Sequence, residues 1–135
     1  MSRYVTDTHA LHWHLAGNNK LSPRARQIFQ DTDAGIHQIF IPGIVLIEFI
    51  YLVEKGRLAQ DRVDELFQHL AVPNGSYAVA PLDLAVARAL WSVPHTLIPE
   101  MPDRIITATA LALSLPLITR DATIQRSSLV QTIWE

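Results

Sequence analysis

Arg3-Tyr4-Val5-Thr6-Asp7-Thr8-His9-Ala10-Leu11-His12-Trp13-His14-Leu15-Ala16-Gly17-Asn18 opens the chain and sets its fold class. Arg3 to Thr6 reads as a short strand of β-branched and aromatic residues. Thr8 to Ala16 reads as a helix closed by Gly17-Asn18, and Asp7 stands at the junction. The same order returns in Leu117-Ile118-Thr119-Arg120-Asp121-Ala122-Thr123, where a strand runs through an acid into a helix. Strand, acid, helix is the grammar of a βα unit.

The segments between repeat the alternation. Ser22-Pro23 starts a helix with Ser as cap and Pro at the first helical position, and Ala25, Ile28 and Phe29 mark its apolar face. Gln38 to Ile41 is a strand ended by Pro42-Gly43. A helix then runs to about Lys55 and stops at Gly56. Asp61 is expected to cap the next helix, whose Val63, Leu66, Phe67 and Leu70 fit an i, i+3, i+4, i+7 stripe. Pro73-Asn74-Gly75 is a turn, Tyr77 to Ala80 a strand, and Leu82 to Trp91 a helix. Ile98 to Pro102 is a loop and Asp103 to Ser114 an Ala-rich helix. Leu117 to Thr119 and Gln131 to Trp134 are the last strands. Short apolar strands alternating with helices predict an α/β fold, with a mainly parallel sheet covered on both faces.

The chain has 135 residues, of which 49% are hydrophobic, which fits a single domain over 1–135 with a proper core. There is no cysteine, which excludes disulfides, thiolate zinc sites and Cys nucleophiles. No signal-peptide pattern opens the sequence, and no apolar run reaches the roughly 18 residues of a membrane span. The expected compartment is the cytoplasm. A net charge of −2 argues against extensive nonspecific binding to nucleic acid, while leaving room for a local basic patch.

One residue breaks the pattern. Glu48 is the only charge in Ile44-Val45-Leu46-Ile47-Glu48-Phe49-Ile50-Tyr51-Leu52-Val53. So apolar a helix is expected to be buried on most sides, and an unpaired buried carboxylate costs several kcal/mol, on the order of the penalty for any lone buried ion. A proton, a base or a metal ion must compensate it.

Asp7, Asp103 and Asp121, taken singly, each fit a helix cap worth about 1 kcal/mol. Glu48 alone fits an acid at the rim or one paired with an arginine. Taken together they fit something else. A parallel sheet brings the carboxyl ends of its strands to one edge, and ligands bind there in open α/β folds. Asp7 and Asp121 follow strands, and Glu48 and Asp103 lie on helices at the same edge. Crowded acids raise each other's pKa. A hard divalent cation such as Mg²⁺ or Mn²⁺ resolves the conflict and activates water. Arg104 and Arg120 flank the acids and pair either with them or with substrate phosphates. His9 and His12 share a helical face without a third ligand, so they read as surface or packing residues. Trp13, Phe67 and Trp91 read as core aromatics.

These segments resemble the PIN-domain family, specifically the VapC-type toxins of VapBC toxin–antitoxin pairs. The matching stretches are Val5 to Leu11, Glu48 in its apolar helix, Pro102 to Leu111, and Pro116 to Asp121. The resemblance implies a three-layer α/β/α sandwich and a Mg²⁺- or Mn²⁺-dependent endoribonuclease. Family acids map onto Asp7, Glu48, Asp103 and Asp121 as catalytic and metal-binding residues, and Thr119 maps onto a supporting hydroxyl. It also implies an RNA substrate, a homodimer and an antitoxin that blocks the site. Many relatives carry Asp-Pro just before the third acid. Here the loop reads Ile98-Pro99-Glu100-Met101-Pro102, which makes Glu100 a candidate outer carboxylate. Two rival readings remain: a phosphatase or phosphoacceptor with Asp7 as nucleophile, and a catalytically silent partner-binding module.

Overall fold

The computed structural model describes residues 1–135. In chain order its elements are β1 (Arg3–Thr6), α1 (Thr8–Ala16), α2 (Pro23–Asp33), β2 (Gln38–Pro42), α3 (Gly43–Glu54) and α4 (Gln60–Leu70). Then come β3 (Tyr77–Ala80), α5 (Leu84–Ala89), a 3-10 turn at Leu90–Ser92, α6 (Met101–Leu113), β4 (Leu117–Ile118), α7 (Ala122–Ser127) and β5 (Thr132–Ile133).

The strands form one sheet in the order β3-β2-β1-β4-β5. Every pairing is parallel, with Val5 opposite both Phe40 and Leu117. The flanking helices complete the α/β/α sandwich. Consecutive strand residues are buried: Val5 with Thr6, and Leu117 with Ile118 and Thr119. Neighbours on a strand point to opposite faces, so burial of both means helices cover both faces. Phe29 of α2, Phe49 of α3, Leu11 of α1 and Ile106 of α6 are fully enclosed against that sheet. Each such side chain contributes roughly 1.5–3 kcal/mol of transfer free energy.

Strand order reverses direction at β1. The chain moves outward through β2 and β3, then returns to the other side of β1 with β4 and β5. The crevice between the carboxyl ends of β1 and β4 is therefore the topological switch point, where open α/β sheets take ligands. Asp7 leaves β1 there, and Asp121 follows β4 by three residues.

Several expectations need correction. The helix around Glu48 is not buried on most sides: Ile47, Ile50 and Tyr51 are exposed, and only Val45 and Phe49 are enclosed. Helical spacing puts Ile47, Ile50 and Tyr51 on one outward stripe. Asp61 is not a cap. Ala59 takes the cap position of α4 without a side-chain bond, and Asp61 lies in the first turn, where the helix dipole favours an acid. The helix expected from Leu82 to Trp91 is shorter, because Asp83 caps it by accepting the Val86 N–H at 3.1 Å. Trp91 is 91% exposed and Phe67 is also on the surface, so neither is a core aromatic. Trp91 sits in the 3-10 turn that ends α5, outside the apolar stripe of any longer helix.

Candidate active site at the sheet's carboxyl edge

Asp7 does two things at once. Its backbone is extended at φ −86° and ψ 178°, and its side chain caps α1 by accepting the Ala10 N–H at 2.9 Å. Its other oxygen accepts the Thr119 hydroxyl at 2.6 Å. The residue is 6% exposed. Burial pushes its carboxyl above the usual aspartate range. The Thr119 and Ala10 bonds and the charge of His9 pull it down, and Asp121 pushes it up. Cap and cluster member are compatible roles, because one carboxylate has lone pairs for both.

Asp121 repeats the device on the neighbouring strand, accepting the Ile124 N–H at 2.9 Å to cap α7. Thr119 joins the two loops. It donates to Asp7 and accepts the Asp121 N–H at 3.0 Å. Such a hydroxyl is fully used in both directions, which fixes the spacing of the two acids across the switch point.

Asp103 is not a cap. Glu100 occupies the cap position of α6 without a side-chain bond, and Asp103 lies one turn inside. The helix N-terminus favours an acid by about 0.3–1 kcal/mol. That help is overwhelmed, since the Asp103 carboxyl is pushed up to about 7. Burial is the largest cause, followed by the charges of Asp121, Asp7, Glu48 and Glu100. Four other carboxylates thus act on one, and the sheet edge gathers all the acids named from the sequence.

Glu48 is half-buried, and its Oε1 accepts the Thr8 hydroxyl at 2.5 Å. Its partner is therefore a hydroxyl from the turn after Asp7, together with partial access to water, and neither an arginine nor a histidine. Thr8 gives no signal in the sequence beyond its place next to Asp7.

No three carboxylate or histidine side chains close on one point at ligating distance. The donors that converge are carboxylate oxygens without sulfur, and none of them forms an ion pair with a cation of the chain. That set suits a hard divalent ion that keeps several waters and takes few protein ligands directly. A cavity of about 240 Å³ opens over Asp7 and Asp121 and is walled by His9, Trp13 and Arg120. A cavity of about 590 Å³ lies elsewhere, between α1, α2, α4 and β3, and none of the clustered acids lines it. The smaller cavity is the one that two of the clustered acids, Asp7 and Asp121, line.

A family model for the PIN domain matches residues 4–128. The chain belongs to the PIN-domain family. No curated protein matches this sequence. Solved structures with the same fold include VapBC2 from Rickettsia felis bound to a promoter DNA fragment, at 18% identity and TM-score 0.73, covering 98% of this chain and 99% of that one. A toxin–antitoxin complex from Klebsiella pneumoniae matches at 22% identity and TM-score 0.69, covering 98% of each chain. VapBC-5 from Mycobacterium tuberculosis matches at 18% identity and TM-score 0.63 over the full length of both. At these identities the likeness establishes the fold alone.

The two arginines of this PIN domain part company. Arg104 is half-buried and pairs with no acid. It donates to the Val93 carbonyl at 2.9 Å and to the Leu90 carbonyl at 3.4 Å, tying α6 to the 3-10 turn. Arg120 is exposed, lines the acid cavity, and lies 5.6 Å from the Trp13 ring centroid. Trp13 is half-buried and borders the site, so it is not simply a core aromatic. Its signal was present in the sequence: His9 and Trp13 are i, i+4 on the helix that starts at Asp7. His12 packs edge-on against Phe49, and His14 stacks on Phe29 with Nε2 3.0 Å from Asp33, as packing histidines do.

Proposed function

We propose that this PIN domain is a VapC-type toxin, an endoribonuclease that hydrolyses RNA phosphodiester bonds with Mg²⁺ or Mn²⁺. The observation that carries this is the gathering of Asp7, Glu48, Asp103 and Asp121 at the carboxyl edge of a PIN-domain sheet, where burial and neighbouring charges push the Asp103 carboxyl up to about 7. Acids so crowded are unfavourable for folding and need a reason to persist, and perturbed carboxyls in a cleft mark functional sites. Asp7, Glu48, Asp103 and Asp121 are the residues that would hold the ion, directly or through water. When bound, the ion supplies a more acidic water and neutralises charge on a phosphoryl group.

The chain's own residues prepare that chemistry. Thr119 fixes Asp7 and Asp121 relative to each other. Thr8 holds Glu48 toward the edge. The rival reading of Asp7 as a nucleophile is disfavoured, because both its oxygens are engaged and no lysine lines its cavity to receive phosphate.

The toxin–antitoxin complexes among the fold's relatives support a cognate antitoxin as partner. The exposed Ile47, Ile50 and Tyr51 stripe of α3 supports a homodimer, since clustered apolar surface marks interaction sites. No helix is long and apolar enough to cross a membrane. The deciding experiment maps RNA ends in cells expressing the chain against an Asp7→Asn control. New 5′ ends confined to the unsubstituted chain are expected; identical end profiles refute the nuclease reading.

A further inference from the structure

Two cavities share one residue. Arg120 lines the acid cavity with Asp7, His9, Trp13 and Asp121. It also lines a second, polar cavity of about 380 Å³ with Gln125, Thr132, Trp134 and Glu135. The two cavities therefore adjoin at the Arg120 side chain, and each has a tryptophan in its wall, Trp13 in one and Trp134 in the other. Trp13 and Trp134 meet edge to face with ring centroids 5.9 Å apart.

The position of Arg120 is not set by an acid. No carboxylate lies within ion-pair distance of it, although Asp121 is the next residue. Its guanidinium is held 5.6 Å from the Trp13 ring centroid, and the Lys20 ammonium lies 5.8 Å from the same centroid. An aromatic face attracts cations without neutralising them. Both cations thus keep their charge available beside a strongly acidic cluster. The ring is anchored in turn by Trp134, whose carbonyl accepts the Ser22 hydroxyl. Gln125 at the far wall donates its amide to the Thr119 carbonyl, which leaves its own carbonyl oxygen free to face the second cavity.

We infer that the polar cavity beyond Arg120 is a subsite for the nucleotide next to the scissile phosphate of a single-stranded RNA, and that Trp13 positions Arg120 to bind the phosphate between them. The inference rests on the nuclease reading and extends it by naming where the strand leaves the acids. The spacing is chemically coherent. The acid cavity repels phosphate unless a dication is present, so an uncompensated cation at its border is needed to hold the flanking phosphate. An arginine fork gives that phosphate two parallel donors. A cavity with a tryptophan and an amide carbonyl offers a stacking edge and an acceptor for a base.

The test measures binding without cleavage. A fluorescein-labelled, mixed-sequence single-stranded decaribonucleotide is titrated with the Asp7→Asn chain by anisotropy in Mn²⁺, over a range of salt. Adding Arg120→Gln should weaken binding by about tenfold, as for loss of one charged hydrogen-bonding partner. It should also reduce the slope of log affinity against log salt by about 0.7, the share of one phosphate on a single strand. Trp13→Ala should weaken binding less, Trp13→Phe should largely restore it, and Trp13→Ala should add little on top of Arg120→Gln. A purely structural tryptophan would give additive losses and an unchanged salt slope. Equal binding by the Arg120→Gln chain, or additive losses, overturns this inference while leaving the nuclease reading intact. A parent chain that binds no RNA but for which cleavage is also absent refutes both.

Discussion

Asp103→Asn is the perturbation whose sign tests whether the acids repel one another across a shared site. The Asp103 carboxyl rises from the ordinary 3.8 to about 7 in the folded chain. Below 3.8 both folded and unfolded chains carry the proton, so the group contributes nothing. Between 3.8 and about 7 the unfolded chain releases the proton and the folded chain keeps it, so stability falls as pH rises. Above about 7 the full penalty is present. At about 1.4 kcal/mol per pH unit the rise corresponds to about 4 kcal/mol. Asp103 is only half-buried, and solvent screening reduces this to roughly 1–2 kcal/mol. Asparagine has the same shape and no charge. In EDTA, urea melts should therefore show Asp103→Asn more stable than the parent by roughly 1–2 kcal/mol at pH 8, with the difference shrinking toward zero near pH 4. Saturating Mn²⁺ should reverse the order, because binding at 100-fold over the dissociation constant stabilises the parent by about 2.7 kcal/mol and the variant little. A variant less stable than the parent at pH 8 in EDTA, or a difference independent of pH, would refute the argument that the acids repel across a shared site.

Three further outcomes are expected. Asp7→Ala should lose about 1 kcal/mol of metal-free stability through the α1 cap, whereas Asp7→Asn should keep the cap; both should abolish cleavage, measured by urea melts and by gel assay of labelled RNA. Cleavage by the purified chain should need added Mg²⁺ or Mn²⁺ and stop in EDTA, and activity that persists in EDTA would sink the metal mechanism. Thr119→Val removes a bond that lowers the Asp7 carboxyl and leaves the Asp121 N–H without its acceptor. The acid limb of the pH–rate profile should then move to higher pH, with a loss of about 1–3 kcal/mol in stability, and Thr119→Ser should restore both.

The strands and most helices could be read directly. Arg3 to Thr6 and Tyr77 to Ala80 begin and end where their apolar runs do, and Ser22-Pro23 starts α2 as a cap and first-turn proline should. These are local effects, fixed by backbone sterics and by bonds that span three or four residues. The four acids were legible for a different reason: a parallel sheet has only one carboxyl edge, so residues after its strands must meet there.

What failed was exposure and partnership. Ile47, Ile50 and Tyr51 are as apolar as Val45 and Phe49, yet they face outward, because only packing against the sheet decides which stripe of an all-apolar helix is covered. Arg104 and Arg120 both flank acids in the sequence, and one ends on backbone carbonyls while the other lies over a tryptophan. Glu48 found its donor in Thr8, forty residues earlier in the chain. The sequence by itself determined the alternation of elements, the order of the acids and the absence of any thiolate metal ligand. The tertiary structure alone decided that Asp103 is the acid whose carboxyl its neighbours and burial push up, that Thr119 couples Asp7 to Asp121, and that Trp13 borders the site. Those are consequences of distance and burial, and Coulomb energy and desolvation depend on where the chain brings its charges rather than on where it encodes them.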